Sequence, residues 1–348
     1  MNVSSEEVEN ARFTILENEV KMLVLFAIDT VGAMFAASMI IKKSPPKMKT
    51  YSYVILNIVF WSYLLDLLIT LFWMPLPIMP APGLCDTGIL RTIYPYFNHL
   101  IAFVLFIILL GSVGCAINTA IFYRFLHINP ENVKLFKNKI FLFFVGFLHV
   151  FSTFPVLISY YIQPIAAIVQ QRQFIKEKYP QFLALYNLIP CGVFAVGKGG
   201  IKGPNYFLIT ALVTILVHIV FGTIFAFFVL KHFLTVLTER RNHLQRQIIT
   251  SLIIQCLLPV LCIVLPFGTL VVETIVNLEF LGGESSLIYS TDGNISGIVN
   301  ALMTLGGLHS FLHSLVIVMV IKPYRNAIKE YGKKLMSAAS DIPLRTVA

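Results

Sequence analysis

Long apolar runs separated by short polar segments dominate this chain between residues 22 and 321. A helix needs about 20 mainly apolar residues to cross the hydrocarbon core of a bilayer. Seven runs are long enough, and they cover residues 22–41, 51–74, 96–123, 140–163, 206–230, 247–272 and 297–321. None alternates apolar and polar residues as a β-barrel strand does, so each run predicts a membrane-spanning helix. We therefore expect an N-terminal segment over 1–21, a seven-helix bundle over 22–321 and a tail over 322–348.

The amino-acid composition fits a protein that is embedded in a membrane. Hydrophobic residues make up 57% of the chain and charged residues only 12%, and the mean hydropathy is +0.81. Soluble domains carry about 25% charged residues, so a soluble protein of this composition would lack polar side chains to cover its surface. The net charge of +9 sits in short clusters between the apolar runs. This distribution favours contact with anionic lipid and argues against nucleic-acid binding.

Lysine and arginine are distributed unequally between the two faces of the predicted bundle. The first, third and fifth connections and the tail hold 18 of the 26 Lys and Arg residues. Because basic loops stay in the cytoplasm, the pattern predicts an outer N-terminus and a cytoplasmic C-terminus in the plasma membrane. The sequon at Asn294 then falls on the outer face, where it predicts a glycan.

Several ionisable residues lie inside the apolar runs, where they are costly and indicate function by default. Asp29 and Asp66 each lie about eight residues below the outer end of their helix, or about 12 Å deep. His309 enters the seventh run to a similar depth. We expect these three residues to converge in a ligand cavity, with Asn98 and His99 nearer its mouth. A hydrogen-bonded structural cluster without ligand contact is the alternative interpretation.

Two further features of the runs concern a possible metal site and a bend in a helix. His309 and His313 have the i, i+4 spacing of a zinc-ligand pair, but no third ligand or catalytic motif accompanies them. The sequence therefore predicts no metal, no cofactor and no enzymatic activity. Pro259 and Pro266 are seven residues apart in the sixth run and predict a bent helix. The bend would serve as a switch or as a static kink.

The segment after the seventh run has two chemically different faces. Tyr324, Ile328, Tyr331 and Leu335 share one side of a helical wheel, whereas Arg325 and Lys329 lie on another. Pro323 suits the first position of a helix. The pattern predicts a short amphipathic helix that lies along the inner membrane surface, with a solvated basic tail as the alternative.

Four sequence words point to a receptor family. They are "PPKMKTYSYVILNIVFWSYLLDL" (45–67), "NLIPCG" (187–192), "LQRQIITSLIIQCLLPVLCIVLPF" (244–267) and "GGLHSFLHSLVIVMVIKPYR" (306–325). In their order and spacing they resemble class H (Srh) of the nematode serpentine chemoreceptors, in the Str group, with class I as the nearest alternative. The resemblance covers about 40–335. It implies a G-protein-coupled-receptor fold, an environmental small-molecule ligand and a heterotrimeric G protein as partner.

The resemblance also suggests roles for residues at both ends of the bundle. At the inner end of the third helix the family tends to have Glu-Asn-Arg, and only Arg124 of that motif is present here. We assign Arg124, Arg325 and Lys329 to contact with the G protein or the inner leaflet. Receptors of this shape commonly join the outer end of helix three to the following outer loop, which implies a Cys85–Cys191 disulfide. Two free thiols are the alternative.

Two other functional classes remain as rivals of a receptor. A small-molecule membrane transporter is the first alternative, and many carriers have internal repeats and broken helices at midplane. Neither signal is clear in this sequence. A membrane-embedded metal hydrolase is the second, and it would need metal ligands at one depth, for which only Asp29, Asp66 and His309 are available.

Overall fold

The computed structural model describes residues 4–78, 83–93, 98–127, 179–193 and 301–340, with scattered residues between 139 and 177 and between 213 and 268. Within these ranges three helices are long and apolar enough to cross a membrane, or four if one bent pair counts as a span. They correspond to the first, second, third and seventh apolar runs. The fourth, fifth and sixth runs lie largely outside the described residues.

The first helix, α1, covers Ser5–Lys43 and begins well before the apolar run at residue 22. A capping box starts it: the Ser4 hydroxyl accepts a hydrogen bond from the Glu7 amide, and the Glu7 carboxylate accepts one from the Ser4 amide. Lys42 and Lys43 lie in the last turn, where positive charge suits the helix dipole. The first seventeen or so residues of α1 therefore project about 25 Å beyond the predicted span.

The second span is a helix that changes its winding near one end. Helix α2 covers Lys49–Leu67 and continues as a π-helix over Leu68–Trp73. Met74 ends the π-helix in a left-handed conformation with φ 47°, which is uncommon for a residue other than glycine. Its carbonyl accepts hydrogen bonds from the Asn18 side chain (3.2 Å) and the Thr87 hydroxyl (2.8 Å), so neighbouring segments hold this turn in place.

The next helices lie on both sides of a long gap in the described chain. Helix α3 is one short turn over Leu90–Ile93, α4 covers Asn98–His127 and α5 covers Leu183–Leu188. A buried apolar core joins α1, α2 and α4 with the C-terminal part of the chain. Trp73, Phe103 and Phe106 form an aromatic group in this core, with ring centroids 5.7–6.0 Å apart.

The seventh span is broken, which the continuous apolar run did not predict. Helix α6 covers Ala301–Gly307, and α7 covers His309–Val320 at a bend of 54°. Gly307 lies where an added Cβ atom would be 2.9 Å from a methyl group of Leu25. Gly32 of α1 has the same role opposite α7, since its Cβ would be 2.7 Å from the Phe311 ring. These glycines let the broken helix pack closely on α1.

Helix α8 covers Lys322–Ser340 and follows α7 directly. The predicted amphipathic helix therefore exists, with a buried Tyr324 on one side and an exposed Lys329 on another. Tyr331, which the wheel assigned to the apolar face, is 45% exposed. It lies in the third turn of α8, beyond the residues that pack against the bundle core.

A small sheet covers the end of the bundle at which α2 finishes. Strands β1 (Pro75–Pro77), β2 (Gly83–Asp86) and β3 (Cys191–Val193) pair antiparallel in that order. We call the strands together with α3 and α5 the sheet layer. A second apolar cluster lies here, in which Ile15 of α1 joins residues of the sheet layer, among them Leu76, Leu185 and Ile189. The projecting part of α1 is thus packed against the sheet layer.

Candidate functional site

The break in the seventh span leaves backbone donors without partners inside their own helix. The first N–H groups of any helix lack an intrahelical acceptor. In α7 these include the amides of Ser310 and Phe311, and the preceding residue Leu308 has no side-chain group that could cap them. Unpaired amides are costly in a membrane, so a break at this depth requires acceptors from elsewhere in the protein.

Carboxylates from two other helices supply those acceptors. Asp66 of α2 accepts a short hydrogen bond from the Ser310 amide, and Asp29 of α1 accepts one from the Phe311 amide at 3.2 Å. Both carboxylates are buried, with at most 1% exposure. Asp29 and Asp66 therefore cap α7 in place of a local N-cap residue.

Two histidines of α7 complete this group, which we call the polar hub: Asp29, Asp66, His309 and His313. The His309 Nδ1 atom lies 3.6 Å from the Asp66 Oδ1 atom, which is beyond hydrogen-bond distance. The two imidazole rings are 5.8 Å apart and neither is exposed. One carboxylate oxygen of each aspartate and all four imidazole nitrogens have no hydrogen-bond partner among the described residues. The hub thus keeps hydrogen-bonding capacity after α7 is capped.

The other predicted site residues fall into three groups. Asn98 and His99 are in the first turn of α4, and Arg124 is near its end. Arg325 and Lys329 are in α8. The third group lies outside the described residues and consists of Pro259, Pro266 and Asn294. Between the two prolines, Val260–Val264 forms a π-helix. The structure thus brings Asp29, Asp66 and His309 together.

The chain matches one known receptor family along most of its length. A family model described as "Serpentine type 7TM GPCR chemoreceptor Srh" matches residues 19–334, which is most of the chain. No curated protein matches it with significant similarity. This chain belongs to the Srh family of chemoreceptors. The resemblance to class H, the all-α seven-helix fold and the multi-pass membrane location are thereby confirmed. The family is one of receptors and not of enzymes.

A disulfide ties the sheet layer of this Srh receptor together. Cys85 of β2 and Cys191 of β3 are bonded, with a sulfur–sulfur distance of 1.93 Å, and they are paired neighbours in the sheet. The bond connects the segment before α4 to the segment that contains α5, 106 residues later. Ile15 of α1 lies in the same apolar cluster as both cysteines. The N-terminal helix, the sheet and the disulfide thus form one connected layer.

Sequence reasoning missed a third buried carboxylate, which lies in the sheet layer. Asp86 is fully buried, and its Oδ1 atom accepts a hydrogen bond from the Trp73 indole at 2.8 Å. Burial raises the pKa of Asp86 to about 7, although the bond from Trp73 partly opposes this rise. The only available signal was an acidic residue next to Cys85. No periodicity marks a short strand of this kind as buried.

The raised pKa of Asp86 predicts that the sheet layer weakens as pH rises. The folded state holds a proton on Asp86 up to about pH 7, whereas the unfolded chain loses it near the ordinary value of 3.8. The free energy of unfolding should therefore decrease between these two pH values, by at most about 4 kcal/mol. Unfolding of purified receptor, measured by differential scanning fluorimetry from pH 5 to pH 8, tests this expectation.

The matched control is Asp86→Asn, which keeps the shape and an acceptor for Trp73 but cannot ionise. Its melting temperature should change less between pH 5 and pH 8 than that of the unsubstituted receptor. An identical pH profile for both proteins would show that another group is responsible.

Proposed function

We propose that this Srh receptor binds an environmental small molecule and activates a heterotrimeric G protein. Family membership supports a chemosensory role, and the polar hub is the observation that carries the mechanism. A helix that is broken at Leu308 and capped from α1 and α2 is an element whose position depends on a few hydrogen bonds. A ligand that binds one arrangement of α7 better than another shifts the receptor toward that arrangement.

The proposed ligand cavity has Asn98 and His99 nearer the outside and Asp29, Asp66 and His309 at its base. The buried nitrogens and oxygens of the hub that lack partners among the described residues support binding of a polar ligand group. The capping bonds also support the structural interpretation, because one oxygen of each carboxylate is used by α7. In the proposal the two roles coexist: the same carboxylates cap α7 and sense the ligand.

The proposed orientation has the N-terminus and the sheet layer outside and α8 in the cytoplasm of a plasma-membrane receptor. The excess of Lys and Arg on the α8 side supports it. We expect Asn294→Gln to remove a glycan and increase gel mobility in a glycosylating host. We also expect a C-terminal tag to be stained only after permeabilisation. A tag detected on intact cells would reverse the orientation.

The proposed contact with the G protein or with anionic lipid consists of Arg124, Arg325 and Lys329. Arg124→Ala should lower ligand-stimulated G-protein activation at least roughly tenfold, the loss expected for one charge-assisted hydrogen bond, and leave ligand binding intact. The experiment is a small-molecule screen read out through G-protein activation at matched surface expression. Lys334→Ala, in the same tail but outside the proposed contact, is the control. Equal signalling by the Arg124 variant and the unsubstituted receptor would remove Arg124 from the coupling surface.

A transporter is the second candidate function, and the break between α6 and α7 is the observation that favours it. Carriers often bind substrates at the ends of discontinuous helices near midplane. The two functions differ in a simple measurement. A carrier accumulates labelled ligand inside sealed vesicles, whereas a receptor binds it to saturation at one ligand per protein.

A further inference from the structure

The end of α1 is fastened to α8 by a serine hydroxyl. Ser44 is the C-cap residue of α1, and its Oγ atom donates a hydrogen bond to the Ile40 carbonyl at 2.5 Å. The Tyr324 hydroxyl lies 2.7 Å from the same Oγ atom. Because a serine hydroxyl has one proton and it is used on Ile40, Tyr324 donates to Ser44. Burial raises the pKa of the Tyr324 phenol, so it keeps the proton that this bond needs.

A second contact supports the same junction. The Lys43 ammonium lies over the Tyr331 ring, 5.1 Å from its centroid. Tyr324 is fully buried, and Ile321 and Ala327 on either side of it are also buried. We call Lys43, Ser44, Tyr324 and Tyr331 the α1–α8 junction. It holds α8 against the end of α1 through one buried hydrogen bond and one exposed cation–π contact.

The backbone at Ser44 and Pro45 is extended, and the local sequence contains a serine followed by proline. Ser44 has φ −71° and ψ 124°, and Pro45 has φ −63° and ψ 151°, so the chain is extended here between two helical segments. Proline after a residue favours this extended form. In the sequence Ser44-Pro45-Pro46-Lys47, the serine supplies a hydroxyl that can accept a phosphate. A proline follows it immediately, and a basic residue lies three positions after the serine. Ser44 is partly accessible and Pro46 is exposed.

We propose that Ser44 is phosphorylated by a proline-directed protein kinase and that the phosphate releases α8 from α1. The Ser44 Oγ atom attacks the γ-phosphorus of ATP, and a new oxygen–phosphorus bond forms. The bond from that phosphorus to the bridging oxygen breaks, ADP leaves, and the hydroxyl proton passes to a base in the kinase. The proposal rests on the cytoplasmic orientation of α8, because ATP and protein kinases are in the cytoplasm.

Three physical effects oppose a phosphate in the junction as it stands. The phosphoserine oxygen has no proton to donate to the Ile40 carbonyl. A group with a charge of about −1.5 to −2 is placed at the negative end of the α1 dipole. The oxygen also lies within 2.7 Å of the Ile40 carbonyl and of the hydroxyl of the buried Tyr324, so three more oxygens would have to displace at least one of these contacts. Lys42 and Lys43 on α1 instead attract the phosphate outward, in competition with the contact to Tyr331.

The first part of the test asks whether Ser44 is a substrate. Full-length receptor in detergent, where both faces are accessible, is incubated with a proline-directed kinase and ATP, and the peptide with Ser44 is identified by mass spectrometry. We expect one phosphate on Ser44, none in Ser44→Ala, and strongly reduced labelling in Pro45→Ala, which keeps the hydroxyl. A receptor that is never labelled on Ser44 would overturn the proposal.

The second part asks whether phosphate releases α8. Trypsin cleavage after Lys329 and Lys333 reports on α8, because both residues lie in it beyond Tyr324. We expect cleavage roughly tenfold faster after phosphorylation, from loss of a buried hydrogen bond. Tyr324→Phe is the matched control, since it removes the same bond without adding charge and should raise cleavage before phosphorylation. Labelled receptor with an unchanged cleavage rate would refute the release of α8.

The third part separates this proposal from the proposed function. Receptor co-expressed with an active proline-directed kinase is isolated from cells and the Ser44 peptide is analysed again. Phosphate on Ser44 supports both the site and the cytoplasmic orientation. If Ser44 is labelled in detergent but not in cells, although the C-terminal tag is stained only after permeabilisation, the orientation holds and the physiological site is refuted. A tag that is stained on intact cells would instead refute the orientation. G-protein activation by a ligand is measured separately and does not depend on either result.

Discussion

Replacing Asp66 with leucine should destabilise the receptor by about 1–3 kcal/mol, the range for leaving one buried hydrogen-bond donor without a partner. Asp66 caps the Ser310 amide at the start of α7, and leucine offers no acceptor in its place. The amide would then be buried without a partner at a depth where water is excluded. His309 would also lose the only carboxylate that lies within 4 Å of it in the described part of the chain.

The measurement is the melting temperature of purified receptor in detergent, together with the fraction that reaches the cell surface. Asp66→Asn is the matched control, because its amide oxygen still accepts a hydrogen bond, and it should cost less than leucine. Asp29→Leu should be milder than Asp66→Leu, since the bond from Phe311 is longer at 3.2 Å and none of the described histidines lies within ion-pair distance of Asp29. A melting temperature for Asp66→Leu equal to that of the unsubstituted receptor would mean that Asp66 does not support α7.

Removing the Cys85–Cys191 disulfide should cause the other large loss of stability. The bond spans 106 residues, for which a chain-entropy estimate gives roughly 4–5 kcal/mol. This is an upper value, because inserted helices already restrict the unfolded chain. We expect the double variant Cys85→Ser, Cys191→Ser to melt at a lower temperature and to be insensitive to reductant. The unsubstituted receptor should lose stability when reductant is added.

Cys262→Ser is the control for this comparison, since Cys262 lies in the bundle and not in the sheet layer. It should leave the response to reductant unchanged. Mass spectrometry of non-reduced peptides gives an independent check. If both Cys85 and Cys191 are alkylated without prior reduction, the bond does not form in the expressed protein.

The apolar runs predicted the positions of α1, α2 and α4 because membrane-spanning segments need little more than length and hydrophobicity. They did not predict where α1 begins, since its first part is polar and is fixed by the capping box of Ser4 and Glu7. They also missed the break in the seventh span. The run stays apolar through Leu308, and only the pair Gly306-Gly307 signalled a weak point in the helix.

Similar depths in the membrane predict that Asp29, Asp66 and His309 lie together, and the structure brings these residues to one place. Depth could not show that the two carboxylates cap α7, because that role depends on the break and hence on packing between helices. Asp86 and Trp73 escaped prediction for a similar reason. Their burial depends on β2 and on segments far apart in sequence, and strands of three or four residues leave no periodic pattern to read.

Helix α1 is long and uninterrupted, so it can act as a rigid rod in this receptor. Its 39 residues extend for about 58 Å, and along them it touches the sheet layer through Ile15, α7 through Asp29, and α8 through Lys43. If the rod tilts about Asp29 by about 5°, its two ends move in opposite directions by about 3 Å and 2 Å. A displacement of α1 on one side of the bilayer then produces a displacement of α1 on the other side. The helix itself keeps the same internal conformation.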